Sequence, residues 1–353
     1  MSSPMPLVSV VMIQRLSSLL PIMCSRCFLN SISQVSCQSA ISDEWWDAPS
    51  IPKVSYLRAV EPDIKEFIPQ AEARRLCRIL KRALATSLSA IRDAYIEMPD
   101  AIITGTGMGC MENSEKFLID IAKYGESCLK PTLFMQSTHN TISSLIAIRL
   151  GCHGYNNTYS QKGISFESAL LDAWIQIKAG DINSAIVGSH DEVTPLMEQI
   201  FHRSLAPETL ISEASISAVI SNRPMPNSFC EVADVRLFHR PEPDDFRSIL
   251  KSDLDHIIIL GVNGSIDNDS HYLDALKAID FNPISLHFKH LFGENYSASA
   301  IAFYIAAMIL KRQSIPSSLL WGGDRSVDNP IRHISILNHS DNASWSLLRL
   351  NAL

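Results

Sequence analysis

The chain lacks what several functions would require. No phosphate-binding loop is present, and "GTGMG" at Gly105 to Gly109 is too short for a dinucleotide fingerprint, having neither the final glycine spacing nor the downstream acid. Histidine-containing pieces such as "LFHRPEP" and "ISLHFKH" lack metal-ligand spacing. Cys24-Ser-Arg-Cys27 is a lone CxxC without the second pair that a four-ligand zinc site needs. No metal and no cofactor are therefore expected. Positive charge is also scarce: 30 Lys and Arg stand against 37 Asp and Glu, a net charge of -7, which argues against nucleic acid as a partner. The eight cysteines follow no secreted-scaffold spacing and read as reduced thiols, which points to a cytoplasmic protein. The apolar stretch "PLVSVVMIQRLSSLLPIM" is interrupted by Gln14 and Arg15 and has no basic segment before it, so it reads as neither a signal peptide nor a membrane span. Residues 1–22 are expected to be an artefactual, loosely attached extension.

What is present is an ordinary globular composition, 46% hydrophobic and 19% charged over 353 residues, enough to bury a large core. Apolar positions Leu76, Ile79, Leu80, Ala83, Leu84, Leu88 and Ile91 follow helical spacing and predict one long amphipathic helix over Pro69 to Asp93. "DAIITGTGMG" predicts a buried strand at Ala101 to Thr104 that ends in a glycine-rich loop, and "SEKFLIDIAKYG" a helix. "THNTISSLIAIRLG" reads as helix, "YNNTYS" as extended, "SFESALLDAWIQIKAG" as helix and "SAIVGSHDE" as a short apolar strand. After a polar, proline-containing stretch near Asn222 to Asn227 the rhythm repeats, with "HIIILGVNG", "SHYLDALKAI", "SASAIAFYIAAMILKR" and two last strands. Alternating strand and helix favours an α/β sheet buried on both faces, built as two similar halves over 23–211 and 212–353.

Three long segments, in order, resemble the β-ketoacyl synthase family. "RRLCRILKRALATSLSAIRDAYIEMPDAIITGTGMG" is similar to its N-terminal region, "CHGYNNTYSQKGISFESALLDAWIQIKAGD" to its nucleophile segment, and "FKHLFGENYSASAIAFYIAAMILKR" to its C-terminal histidine segment. The wording of "CHGYNNTY" and "SFESALLDA" is most similar to ketosynthase-like proteins of aryl-polyene or flexirubin-type pigment synthesis. The resemblance implies a thiolase-like fold of two pseudo-repeated α/β halves in five layers, working as a dimer. It also implies acyl carrier protein as a partner. Such an enzyme places a cysteine at a tight strand-to-helix turn, where the helix N-terminus lowers the thiol pKa and backbone N–H groups stabilise an oxyanion. Two histidines then assist decarboxylation of the malonyl extender.

In this sequence all three positions differ. Counting forward from "CHG" at Gly154 and back from "AGD" at Gly180 puts the nucleophile position at Gly163, which has no side chain to acylate. The first histidine position carries Asn263 in "LGVNG" and the second carries Glu294 in "KHLFGENYSASA". Losing one oxyanion donor alone costs about 10²–10³ in rate. Three readings remain: a non-catalytic subunit of the chain-length-factor type that pairs with an active ketosynthase, an enzyme with displaced groups, and a homodimeric scaffold for acyl carrier protein. For the second, Ser165 and Glu167 are the candidates, with His139, His153 or Glu294 as bases; Ser165 is equally a first-turn hydroxyl of the helix. Gln161 enters only through a two-residue slip that both flanking anchors oppose. Arg74, Arg75, Arg78, Lys81 and Arg82 are candidate docking residues for an acidic carrier protein, or else a solvated helix face.

Overall fold

Among the described residues, each half of the chain contributes five strands to the main sheet with the same connections, while Tyr56–Leu57 and Ile211–Ser212 pair separately. The first set is β1 (Phe28–Val35), β2 (Ala101–Gly105), β3 (Tyr155–Tyr159), β4 (Ser184–Asp191) and β5 (Ala214–Ser221), in the spatial order β1-β5-β4-β2-β3. The second is β6 (Cys230–His239), β7 (Ile257–Leu260), β8 (Ile284–His287), β9 (His333–Ser340) and β10 (Ser344–Asn351), in the order β6-β10-β9-β7-β8. Going outward, each set makes two antiparallel and then two parallel pairings. The two sets join into one ten-stranded sheet through β1 and β6, which pair only at Phe28↔Glu231 and Leu29↔Cys230. This computed structural model describes residues 25–353 apart from 39, 40, 53, 55, 208, 324–326, 328 and 329; the expected extension over 1–22 and Cys24 of the CxxC lie outside the described residues.

The helices fill three layers around those two sets of strands. The longer ones are α1 (Arg78–Asp93), α2 (Met111–Tyr124), α3 (Thr141–Leu150), α4 (Ser165–Ala179), α5 (Pro195–Ser204), α6 (Ile266–Ala278) and α7 (Ala298–Arg312). Side chains alternate across a strand, so β2 sends Ala101 and Ile103 to the central layer and Ile102 to the outer one. The central layer is α4 and α7, whose Phe166 and Phe303 rings meet edge-on at 5.4 Å. Each such fully buried ring is worth about 1.5–3 kcal/mol. Leu80 and Leu84 of α1 and Ile142 and Ile146 of α3 cover the far face of the first set, and Tyr272 and Ala275 of α6 cover that of the second. Helix, sheet, helix, sheet, helix gives five layers. Because α7 is packed on all sides, it has no polar face, which explains its nearly unbroken apolar sequence.

Two expectations are corrected. The helix predicted over Pro69 to Asp93 is broken: a single turn spans Gln70–Ala73, Cys77 is extended, and α1 starts only at Arg78. The freed Arg78 N–H is met by a Glu112 carboxylate oxygen of α2 at 3.4 Å, a tertiary partner that periodicity does not reveal. The boundary between halves also shifts. Residues 214–221, assigned to the second half, form β5 and pair with β1 and β4 of the first; the chain crosses over in the polar stretch near Asn222.

Candidate functional site

A cavity of about 560 Å³ is lined by Gly163, Asn263 and Glu294 together, residues that come from three separate loops. Gly163 sits in the 3-10 turn Lys162–Ile164 that leads from β3 into α4. The start of α4 comes close to the end of β2: a Cβ at Gly105 would stand 2.5 Å from the Ser165 carbonyl, so only glycine permits this approach. At Gly163 the situation is the opposite. A Cβ there would meet only the Ser340 side chain, at 3.5 Å, which is ordinary contact. A side chain at Gly163 is therefore not excluded by crowding at its Cβ.

Asn263 follows β7, and its backbone N–H donates to Asp269 Oδ1 at 2.9 Å while its Oδ1 accepts from Ser265 N at 3.0 Å. These bonds orient the amide so that Nδ2 donates to Glu294 Oε2 at 2.8 Å. Lys289 Nζ donates to the same oxygen at 2.8 Å. The Glu294 backbone is held in turn, its N–H on Leu210 O at 2.6 Å and its carbonyl on Ser212 N at 3.0 Å. A carboxylate at this position thus carries its own cation, and the charge that would repel an enolate is neutralised inside the site.

The displaced-nucleophile candidates are engaged elsewhere. Ser165 is fully buried; its hydroxyl accepts from Gln161 N at 2.8 Å and donates to Lys162 O at 2.7 Å, closing the turn rather than facing the cavity. Glu167 is fully buried in the first turn of α4, accepting from Asn338 Nδ2 at 2.8 Å, Ser346 Oγ at 2.9 Å and Ser299 Oγ at 2.8 Å. Burial pushes its pKa up. The side-chain oxygen of Gln161 accepts from Ser168. His139 is exposed and lies against Gly109, His153 is exposed, and neither lines the cavity.

Several residues of the site carried no sequence signal. Asn338 Nδ2 bridges the Gly163 carbonyl, at 3.0 Å, and Glu167, tying the end of β9 to the turn. Asp191, buried at the end of β4, accepts from Thr106 Oγ1 at 3.0 Å, Gly107 N at 2.9 Å and Met108 N at 3.1 Å, so it shapes the glycine-rich loop; burial raises its pKa to about 6. Tyr296 lies over Gly107, where a Cβ would stand 2.3 Å from the ring. His339 lines the cavity, its Nδ1 accepting from Asn342 N at 3.3 Å, and burial lowers its pKa to about 4.

Among the basic residues, Arg82 is a correction. It is 1% exposed and donates to Glu61 Oε1 at 2.5 Å and Glu213 Oε1 at 2.8 Å, so its guanidinium is buried between an inner and a half-exposed carboxylate and offers nothing to a partner. Helical period places it on the inward face of α1, which charge counting overlooks. Arg74 and Arg75 are exposed, Lys81 is half-buried, and Arg78 leans on Glu112 at 3.6 Å. Among the described residues no helix is long and apolar enough to cross a membrane, and no group of His, Cys, Asp and Glu could hold a metal ion.

Comparison with known proteins bears on the fold and the family. The 3-oxoacyl-(acyl-carrier-protein) synthase 2 of Synechocystis sp. is 28% identical over 144 residues, 38% of this chain and 34% of that protein, so the match spans about a third of the relative's length. The ishigamide ketosynthase/chain length factor superposes with a TM-score of 0.78 at 17% identity, over 93% of this chain and 99% of that one. A ketosynthase in complex with its chain length factor from Xenorhabdus doucetiae gives 0.73 at 15% identity, over 93% and 98%. These likenesses establish the thiolase-like ketosynthase fold. The model of the beta-ketoacyl synthase N-terminal domain matches residues 45–233, more than half of the sequence, and with the five-layered fold it makes this chain a member of the β-ketoacyl synthase family.

Proposed function

We propose that the chain is a ketosynthase-like subunit that performs no covalent acyl transfer itself and pairs with an active ketosynthase in the manner of a chain length factor. The observation that carries this reading is Gly163 at the turn where a nucleophile would stand, facing an Asn263–Glu294–Lys289 cluster that is already satisfied internally. A retained fold with an idle site still presents a surface. Strand β3 is one of the two edge strands of the ten-stranded sheet, and Tyr155 on it, Ile148 on α3, and Phe134 and Met135 before α3 are 42%, 78%, 57% and 69% exposed. Apolar side chains beside an open strand edge support a protein partner on this face. That one relative in fold is solved with its chain length factor supports a ketosynthase as that partner. Arg74, Arg75 and Lys81 are the residues left to meet an acyl carrier protein.

The test is co-expression with a ketosynthase that has an intact nucleophile, followed by light scattering and intact-mass measurement after exposure to acylated carrier protein. A heterodimer whose acyl adduct maps only to the partner is expected. An adduct on this chain, or a stable homodimer that ignores the ketosynthase, would overturn the reading.

A further inference from the structure

The cavity beside Gly163 has a built charge at its floor and an unsatisfied hydroxyl in its wall. Lys289 and Asn263 together form a donor pair suited to a carboxylate, and Glu294 Oε2 occupies it with both bonds at 2.8 Å. Lys289 is only 6% exposed, so its charge is spent on Glu294 and not offered to solvent. Of the remaining ionisable lining groups Asp267 and Asp341 are acidic, and the Asp341 carboxylate is bridged at 2.7 Å by Lys162. Among the described lining residues, an entering anion meets the Asp267 and Asp341 carboxylates and a Lys289 ammonium that is already paired. The rest of the wall is apolar or neutral: Phe201 and Tyr296 meet edge-on at 6.1 Å, and Leu205 and Ala206 lie beside them. Thr209, 4% exposed, also lines the cavity, and its Oγ1 has no hydrogen-bond partner among the described residues. Buried polar groups are rarely left unpaired, so this hydroxyl points to a ligand that supplies the missing bond.

We propose that Glu294 is the selectivity residue of this cavity: seated between Lys289 and Asn263, it excludes carboxylate-bearing acyl groups and leaves the space to neutral acyl chains with a hydrogen-bonding carbonyl or amide. This rests on reading the cavity as a degenerate acyl site, and it deepens that reading by naming what the site still takes. The physical basis is occupancy: Glu294 Oε2 already fills the Lys289–Asn263 donor pair, so an incoming carboxylate would have to be desolvated without receiving those two bonds.

The experiment measures binding to the isolated full chain by calorimetry, with malonate as the anionic probe and the N-acetylcysteamine thioester of octanoate as the neutral one. The wild type is expected to bind the neutral thioester and to bind malonate at least about tenfold more weakly than Glu294→Ala and Glu294→Gln do. The neutral probe should change little between the three proteins. Adding Lys289→Met to Glu294→Ala should remove the gain in malonate affinity, which a general loosening of the pocket would not do. Glu294→Gln preserves the side-chain shape if the alanine variant fails to fold. Equal malonate affinity in wild type and variants, or no malonate binding by either variant, would overturn the proposal. None of these measurements involves a partner or an acyl adduct, so the outcome is separate from the fate of the non-catalytic reading.

Discussion

Lys289 Nζ stands 2.8 Å from Glu294 Oε2, an ion pair in which the lysine is buried and the glutamate is 21% exposed. Breaking such a pair from one side leaves a charge without compensation, whereas removing both sides does not. Lys289→Met is expected to lower stability by about 1–3 kcal/mol, discounted from the fully buried case because Glu294 reaches solvent. The double variant Lys289→Met/Glu294→Gln should recover much of that loss. Urea unfolding of the four proteins in the cycle measures the coupling, and a coupling near zero would contradict the pairing.

Gly163→Cys should fold without penalty. The position has no positive φ, and a Cβ there meets only Ser340 at 3.5 Å. Replacing a glycine whose backbone suits other residues stabilises by about 0.4–1 kcal/mol through the unfolded chain. The new thiol should react with iodoacetamide, yet condensation should not appear, because the Asn263–Glu294–Lys289 cluster that shares its cavity offers no imidazole. Recovery of condensation by this single change would show that the cluster is more competent than its chemistry indicates.

Arg82 and Arg74 look alike in the sequence and should behave differently. Arg82→Ala removes the cation from a triad in which Glu213 is fully buried, so a loss of about 3–5 kcal/mol is expected. Arg74→Ala, on the exposed turn before α1, should stay within about 0.5 kcal/mol. If carrier protein docks here, Arg74→Ala and Arg75→Ala should weaken its binding more at low salt than at high salt, as surface plasmon resonance would report.

His190 makes stability depend on acidity. It is fully buried on β4 with Nδ1 on Ser215 Oγ at 2.6 Å, and burial lowers its pKa from 6.5 to about 3. The unfolded chain takes up this proton as pH falls below 6.5 while the native state refuses it until near 3, so stability present above 6.5 is lost on acidification through that window. At pH 5 this single group costs about 2 kcal/mol. Asp191 and Glu192, raised by burial to about 6 and about 7, act in the opposite direction over part of the same range. The clean measurement is therefore a difference: between pH 7 and pH 5 the wild type should lose about 2 kcal/mol more than His190→Gln. Parallel pH profiles for the two proteins would show that His190 does not titrate as its burial demands.

The alternation of strand and helix, the buried runs at Ala101–Gly105 and Ile257–Leu260, and the nearly all-apolar α7 were legible from residue pattern, because period and apolarity follow directly from which faces a segment must bury. The family resemblance singled out Gly163, Asn263 and Glu294, and the fold brings all three to the lining of one cavity. The tertiary structure decided everything that depends on a partner distant in sequence. It broke the helix after Ala73 by offering Glu112 to Arg78, turned Arg82 inward to Glu61 and Glu213, and consumed the Ser165 hydroxyl in its own turn. It set Lys289 against a carboxylate whose charge, read in isolation, would have appeared unbalanced. Spacing encodes backbone conformation over a few residues, but the charge and hydrogen-bonding state of a side chain is set by whatever the fold brings within 3 Å of it, and that information is spread over the whole chain.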